Sequence, residues 1–126
     1  MLLDTYAWVE FFIGSKPGKK VLKAIQENRC FTSILSLAEI VDWCLKNGLK
    51  EKAKKYVEII EKTSTVLDIT KEIAILAGEI NQERKKKVKG WGMIDSMILA
   101  TATFYKLKVL TGNSHFKDIN NVEILE

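Results

Sequence analysis

The sequence predicts an α/β domain, a short parallel sheet of four or five strands covered by helices on both faces. Three observations lead there. Short apolar runs alternate with longer segments of helical period, the mark of strand–helix–strand units. The segments between strand candidates are long enough to be helical crossovers, which parallel neighbours require and which put helices on both sheet faces. A length of 126 residues, 47% hydrophobic and 29% charged, supplies one core and leaves no room for a second module. A single domain spanning 1–126 is therefore expected.

Taken in order, Met1 to Asp4 is a short strand leading into an aromatic-rich helix, Tyr6 to Ile13, which Gly14 breaks. Pro17 opens the next helix, to Glu27, where a missing N–H is tolerated. Cys30 to Thr32 is the second strand. Leu37, Ile40, Val41, Cys44 and Leu45 then recur at i, i+3, i+4, i+7 and i+8, an amphipathic helix that Gly48 closes. Lys50 to Lys62 makes a charged surface helix, the β-branched run Thr63 to Leu67 a third strand, and another helix starts from Thr70. Met93 to Tyr105 is apolar on almost every side, so it is expected to lie buried between other elements. Lys108 to Thr111 is a strand, Gly112-Asn113-Ser114 a turn, and Val122 to Leu125 the last strand. Crossovers in such a sheet are right-handed. Helix N-termini and strand C-termini then meet along one edge, where ligands bind.

Twenty basic residues against 16 acidic give a net charge of +4, which favours polyanionic partners. Only Arg29 and Arg84 are arginines, so the charge suits point contact with phosphates better than bidentate reading of bases. Cys30 and Cys44 exclude a disulfide scaffold and show no zinc-site spacing, which fits a reducing compartment. The N-terminus has no basic leader, and no apolar run approaches the ~18 residues of a membrane span. A cytoplasmic protein with no membrane association is expected.

The chain order brings three acids to one sheet edge. Asp4 ends the first strand, Asp95 lies near the start of the buried helix, and Glu39 lies in the opening turns of its own helix. Each has an alternative. Asp4 suits the N-cap of the helix that follows it. Ser36-Leu37-Ala38-Glu39 reads as a capping box, with Glu39 opposite the apolar stripe. Asp95 is the most informative, because Ile94, Met97, Ile98 and Ala102 surround it and an uncompensated carboxylate there costs several kcal/mol. Helix amides or a divalent cation would offset that.

These residues resemble the PIN-domain ribonucleases, and among them the single-domain VapC-like toxins of prokaryotic toxin–antitoxin pairs. The resemblance covers essentially the whole chain. It rests on Leu2-Leu3-Asp4-Thr5, the Thr32-Ser33 to Glu39-Ile40 segment, Gly92-Met93-Ile94-Asp95-Ser96-Met97-Ile98-Leu99-Ala100, and Val109-Leu110-Thr111-Gly112-Asn113 leading to His115-Phe116. It implies a PIN-like three-layer α/β/α sandwich with an acidic site at Asp4, Glu39 and Asp95. Many members carry a fourth acid after the last core strand, and the matching position here is Asn113. Asn keeps a carbonyl acceptor but loses a unit of charge, so a second metal would be held more weakly. Asp118, five residues on, is a less favoured substitute, because the stretch from Ser114 reads as a separate turn.

Three carboxylates with no accompanying His or Cys make a hard oxygen site, which selects Mg²⁺ or Mn²⁺ and points to phosphate chemistry. The expected activity is endoribonuclease cleavage by a toxin, with Asp4 and Asp95 contacting the metal, Glu39 binding it or orienting the attacking water, and Asn113 outside them. Thr5, Ser96 and Thr111 are hydroxyls placed to support the acids. The run Arg84-Lys85-Lys86-Lys87-Val88-Lys89, just before the Asp95 helix, would attract RNA, or would simply favour a helix C-terminus. Trp91 suits packing better than base stacking, and His115, the only histidine, suits a surface or packing place. The first helix carries Tyr6, Trp8, Val9, Phe11, Phe12 and Ile13, more apolar surface than one stripe needs. The family implies a homodimer and a cognate antitoxin to cover such surface; the alternative is that a first helix buried in a small sandwich is apolar all round. Two rival functions remain open, an RNA-binding or assembly module with weak or no catalysis and an RNA-processing nuclease without an antitoxin. A nucleotide-binding domain is set aside, because Asp4-Thr5-Tyr6-Ala7-Trp8 has no glycine for a pyrophosphate to approach.

Overall fold

The computed structural model describes residues 1–126. Its strands are β1 (Leu2–Leu3), β2 (Phe31–Ser33), β3 (Thr65–Leu67), β4 (Val109–Thr111) and β5 (Val122–Ile124). Its helices are α1 (Thr5–Ile13), α2 (Lys16–Glu27), α3 (Ile34–Lys46), α4 (Ala53–Thr63), α5 (Lys71–Lys87) and α6 (Met93–Tyr105), with 3-10 turns at Lys50–Lys52 and Ser114–Phe116. The five strands form one all-parallel sheet in the order β3-β2-β1-β4-β5, with Leu2 opposite both Phe31 and Val109. This is the α/β/α sandwich the sequence predicts.

The two-residue period of a strand sends neighbouring side chains to opposite faces, and β1 and β4 show what that builds. Leu3 and Leu110 enter one core with Ala7, Trp8, Val21, Ile40, Cys44 and Ile60 from α1 to α4. Leu2 and Val109 enter the other with Ile98 and Ala102 of α6, and Ile73 and Ala77 of α5 pack with Ala100 beside it. The centre of the sheet is thus apolar on both sides, and the one buried polar residue inside a strand, Thr32, is satisfied by Trp8 Nε1 and the Ser64 hydroxyl.

Several boundaries differ from the sequence reading for identifiable reasons. Asp4 leaves the strand because it caps α1, its Oδ1 accepting from Ala7 N at 2.9 Å. Thr63 belongs to α4, its hydroxyl donating back to Ile59 O, and Ser64 ends that helix before β3 begins. The segment 50–62 is a 3-10 turn followed by a helix rather than one helix. α3 starts at Ile34 with Ser33 as its N-cap, so Ser36 lies inside the helix with a buried, unpartnered Oγ. There is no capping box at Ser36, and Glu39 is free of that role.

The helix-rich N-terminal layer holds most of the first helix's apolar surface. Trp8 is fully buried, with Phe11 and Phe12 packed around it and Phe12 stacked on Tyr56 at 4.0 Å. Only Tyr6 and Ile13 of that helix are exposed large apolar groups. The open apolar stripe lies instead on α3, where Ile34, Val41 and Leu45 are exposed at i, i+7 and i+11. α6 is buried through its middle, Ile98 to Ala102, while Met93, Ile94, Phe104 and Tyr105 at its ends are exposed. No helix is long and apolar enough to cross a membrane.

α1 and α2 cross closely at Gly18, where an added Cβ would lie 2.1 Å from Glu10 O. The obstacle is backbone and cannot swing aside. Gly18→Ala is therefore expected to destabilise the protein by about 2–3 kcal/mol despite alanine's better helix propensity, measured by urea unfolding. A neutral or stabilising change would show that the two helices are free to separate.

Candidate active site

The strand order reverses direction about β1, whose neighbours β2 and β4 lead to crossovers on either side, and ligands of such sheets sit outside the strand C-termini at that point. A cavity of about 150 Å³ opens there, lined by Asp4, Thr5, Tyr6, Glu39, Ile94, Asp95, Ile98, Asn113 and Phe116. All four residues singled out from sequence for catalysis or metal binding, Asp4, Glu39, Asp95 and Asn113, lie on its wall.

Each is held in place locally. Asp4 is buried and caps α1, and its carboxyl also receives the Thr111 hydroxyl. Capping and lining the cavity are one position, so the two sequence readings of Asp4 coincide. Burial pushes its carboxyl up from the ordinary 3.8 to about 7, with the charges of Glu39 and Asp95 adding to the rise and the bonds from Thr111 and Ala7 opposing it. Glu39 Oε1 accepts from Thr5 Oγ1 at 2.6 Å. Asp95, its side chain 22% exposed, accepts from Gly92 N at 3.1 Å and so caps the helix that carries it. Asn113 uses both ends of its amide: Oδ1 accepts from His115 N at 2.9 Å and Nδ2 donates to Asp95 Oδ1 at 3.4 Å. Gly112 beside it lets the Tyr6 ring lie close, since a Cβ there would stand 2.2 Å from the ring and push it aside.

Other expected residues lie elsewhere. Ser96 does not support the acids: Trp91 Nε1 donates to its Oγ at 2.7 Å, and that hydroxyl donates to Asn81 Oδ1 at 3.0 Å, because α6 turns this side chain toward α5. Trp91 is buried against Phe116, a packing place as expected. Arg84 is not free for a polyanion. Its side chain is 12% exposed, and its guanidinium is taken up by Asp118 and His115 O. Asp118 is held by that ion pair well down at about 2 and does not line the cavity, so it is no replacement for a fourth acid. Lys85, Lys86, Lys87 and Lys89 are exposed at the end of α5 and in the connector to α6.

Sequence reasoning undervalued His115. Its Nδ1 is buried without a hydrogen-bond partner, 3.8 Å from Asp95 Oδ2, with Gly90 leaving room for the ring. The available signal was its place in the turn after a core strand, the same sheet edge that gathers the acids.

The carboxylates supply oxygen donors only, and the buried Asp4, which the charges of Glu39 and Asp95 disfavour as an anion, would be relieved by a cation, which fits Mg²⁺ or Mn²⁺. No three metal-binding side chains are close enough together to hold one ion between them. Mg²⁺ commonly takes one or two carboxylates and keeps several waters, and a spread set of acids accommodates that.

Comparison with known proteins agrees with the geometry. The PIN domain family profile matches residues 1–122. No curated protein sequence matches the chain. Among solved structures, a toxin–antitoxin complex from Klebsiella pneumoniae has a chain of the same fold at a TM-score of 0.80 and 24% identity, covering 99% of this chain and 97% of that one. DNA-bound VapBC from Salmonella typhimurium matches at 0.76 and 25% identity, covering 98% and 94%. The sarcin-ricin loop cleaving toxin VapC20 from Mycobacterium tuberculosis matches at 0.76 and 13% identity, covering 92% of each chain. With a family profile matched over nearly its whole length and this sheet order, the chain belongs to the PIN-domain family.

Proposed function

We propose that this protein is a Mg²⁺- or Mn²⁺-dependent endoribonuclease and the toxin of a toxin–antitoxin pair. The observation that carries the reading is the gathering of Asp4, Glu39 and Asp95, from three separate elements, on one small cavity at the sheet's carboxyl edge. The similarity in fold to toxin chains, one of them a toxin that cleaves the sarcin-ricin loop, supports it.

Asp4 and Asp95 would hold the metal, and Glu39 would bind it or orient the attacking water. When bound, the metal supplies Lewis-acid activation of water and neutralises charge building on the phosphoryl group. Thr5 fixes the Glu39 carboxylate, and Thr111 fixes Asp4. In-line hydrolysis then needs no protein nucleophile and leaves 5′-phosphate and 3′-hydroxyl ends. Lys85, Lys86, Lys87 and Lys89 would draw RNA toward an edge that is otherwise acidic. Replacing these four lysines with Gln is expected to weaken RNA binding about equally across sequences and to flatten its salt dependence, measured by fluorescence anisotropy between 50 and 200 mM salt. An unchanged salt slope would move the RNA path elsewhere.

Two surfaces suit partners. A groove of about 400 Å³ runs from Thr5 and Glu39 along α1 and α3 past Val9 and Trp43, long enough to take an antitoxin segment that would block the acids. The exposed α3 stripe suits a second copy of the chain.

The test is cleavage of a mixed RNA pool at low salt with Mg²⁺ or Mn²⁺, and with chelator. Cleavage only with metal is expected. Binding of RNA and metal without cleavage of this pool or of ribosomal and transfer RNA would favour an RNA-binding module instead.

A further inference from the structure

Arg84 sits at the root of the lysine run, yet its contacts all face the protein. Nη1 donates to Asp118 Oδ2 at 2.7 Å, and Nη2 donates to Asp118 Oδ1 at 2.9 Å and to His115 O at 2.8 Å. The guanidinium plane lies 4.5 Å from the Trp91 ring centre. One side chain of α5 therefore grips both ends of the 115–118 segment and the connector that launches α6. Few surface ion pairs have this geometry, because the planar fork of Arg matches a carboxylate in two bonds and still has an N–H left for the carbonyl.

The gripped segment is the one that reaches the acids. His115 N donates to Asn113 Oδ1, Asn113 Nδ2 reaches Asp95 Oδ1, and the His115 ring stands 3.8 Å from Asp95 Oδ2. From the other side, Trp91 Nε1 donates to Ser96, the residue after Asp95 on the first turn of α6. Asp95 thus lies between two arms, the turn after β4 and the connector before α6; Phe116 packs on Trp91 between them, and Arg84 is the side chain that ties them with hydrogen bonds and an ion pair. We infer that Arg84 is a positioning residue: it holds Asn113 and His115 against Asp95 and so fixes the Asp95 carboxylate for metal, rather than contacting RNA itself. This rests on the nuclease reading for its consequence in catalysis, but not for the clamp.

The discriminating variant is Arg84→Lys, which keeps the positive charge and loses the fork. Three readouts on the full chain separate the roles. Amide hydrogen exchange needs no substrate: for Arg84→Lys and Arg84→Ala, exchange at His115, Phe116 and Lys117 is expected to rise at least tenfold relative to wild type, with the α1 to α4 core protected as before. Mn²⁺ binding, followed by electron paramagnetic resonance with the metal alone, should weaken at least tenfold in both variants. On a cleaved RNA oligonucleotide, kcat should fall about 10- to 100-fold, the scale of a misplaced catalytic group, with KM within twofold.

Asp118→Ala gives the opposing check. It removes a negative charge, so an RNA-contact role for this patch predicts unchanged or tighter RNA binding and full kcat, whereas the clamp predicts the same loss of kcat and Mn²⁺ affinity as Arg84→Lys. Unchanged exchange at 115–117 in Arg84→Lys would overturn the clamp whatever the activity. Faster exchange with normal Mn²⁺ binding and a raised KM alone would overturn the positioning role. A wild-type protein that neither binds Mn²⁺ nor cleaves RNA would defeat the nuclease reading, and the exchange result would still decide the clamp.

Discussion

Asp95→Asn is expected to abolish metal-dependent RNA cleavage, lowering kcat on the order of 10³-fold, while the protein stays folded. The contrast follows from the two jobs of this carboxylate. As a cap, Asp95 accepts from Gly92 N, and an Asn oxygen can accept the same bond, so the melting temperature should move by no more than a few degrees. As the proposed metal holder it would supply charge, and an amide supplies none. The substitution also places a neutral amide opposite Asn113, whose Nδ2 now donates to Asp95. Cleavage assays paired with circular dichroism melts check both halves. Retained cleavage in a folded Asp95→Asn protein would show that the cavity works without this acid, and the assignment of its role would fall.

The second large effect is on stability. Asp4 is raised to about 7, chiefly by burial and then by its acidic neighbours. In the unfolded chain the same carboxyl titrates near its ordinary 3.8. Below 3.8 both states hold the proton and Asp4 contributes no penalty. Between 3.8 and 7 the unfolded chain gives up its proton while the native protein keeps it, so native stability falls as pH rises, and above 7 the loss is complete. At 1.4 kcal/mol per unit the limit is about 4 kcal/mol. Water reaching the cavity reduces this, and a gain of about 2 kcal/mol from Asp4→Asn at pH 8 is expected. In a chain of this size that is roughly 6–10 °C in melting temperature. The gain should vanish near pH 3.5, and Asp4→Asn should show no cleavage at any pH. Added Mg²⁺ or Mn²⁺ should narrow the difference, because the wild type gains stability from a ligand the variant binds poorly. Equal melting of the two proteins at pH 8 would mean that Asp4 is ionised without cost. These opposed effects on stability and activity are typical of sites that hold like charges together for function.

The sequence made the architecture legible and singled out residues that the fold brings to one cavity, for physical reasons that also set the limits. Strand candidates such as Val109 to Thr111 are recognisable because burial on both faces demands continuous apolar or β-branched residues. Asp95 stood out because a carboxylate amid Ile94, Met97 and Ile98 needs an explanation. Glu39 was ambiguous because Ser36 and Glu39 match a capping box in spacing alone. Whether such a box forms depends on where the helix begins, and Ser33 began it one turn earlier. Ser96 and Arg84 were misplaced for a related reason: composition and spacing report what a side chain can do, and packing decides which neighbour it meets. Ser96 meets Trp91 and Asn81, and Arg84 meets Asp118. Each pairing joins residues from different elements, and local pattern carries no record of the match. The apolar excess of the first helix was open to two readings, a partner or burial within the domain, and Phe12 takes the second because Tyr56, far along the chain, covers it.

The sheet order also bears on how the protein is made. β1 is the central strand, yet one of its two neighbours, β4, lies more than a hundred residues later in the chain. A growing polypeptide carries Asp4 and Glu39 from its first third, but Asp95 and Asn113 only in its last. Pairing of Leu2 with Val109 closes a loop of nearly the whole chain, a slow, non-local step that follows formation of the local helices. During synthesis the cavity wall therefore stays incomplete until Asn113 and the strand before it have left the ribosome, and a shorter nascent chain has its first acids in place without the edge that gathers them.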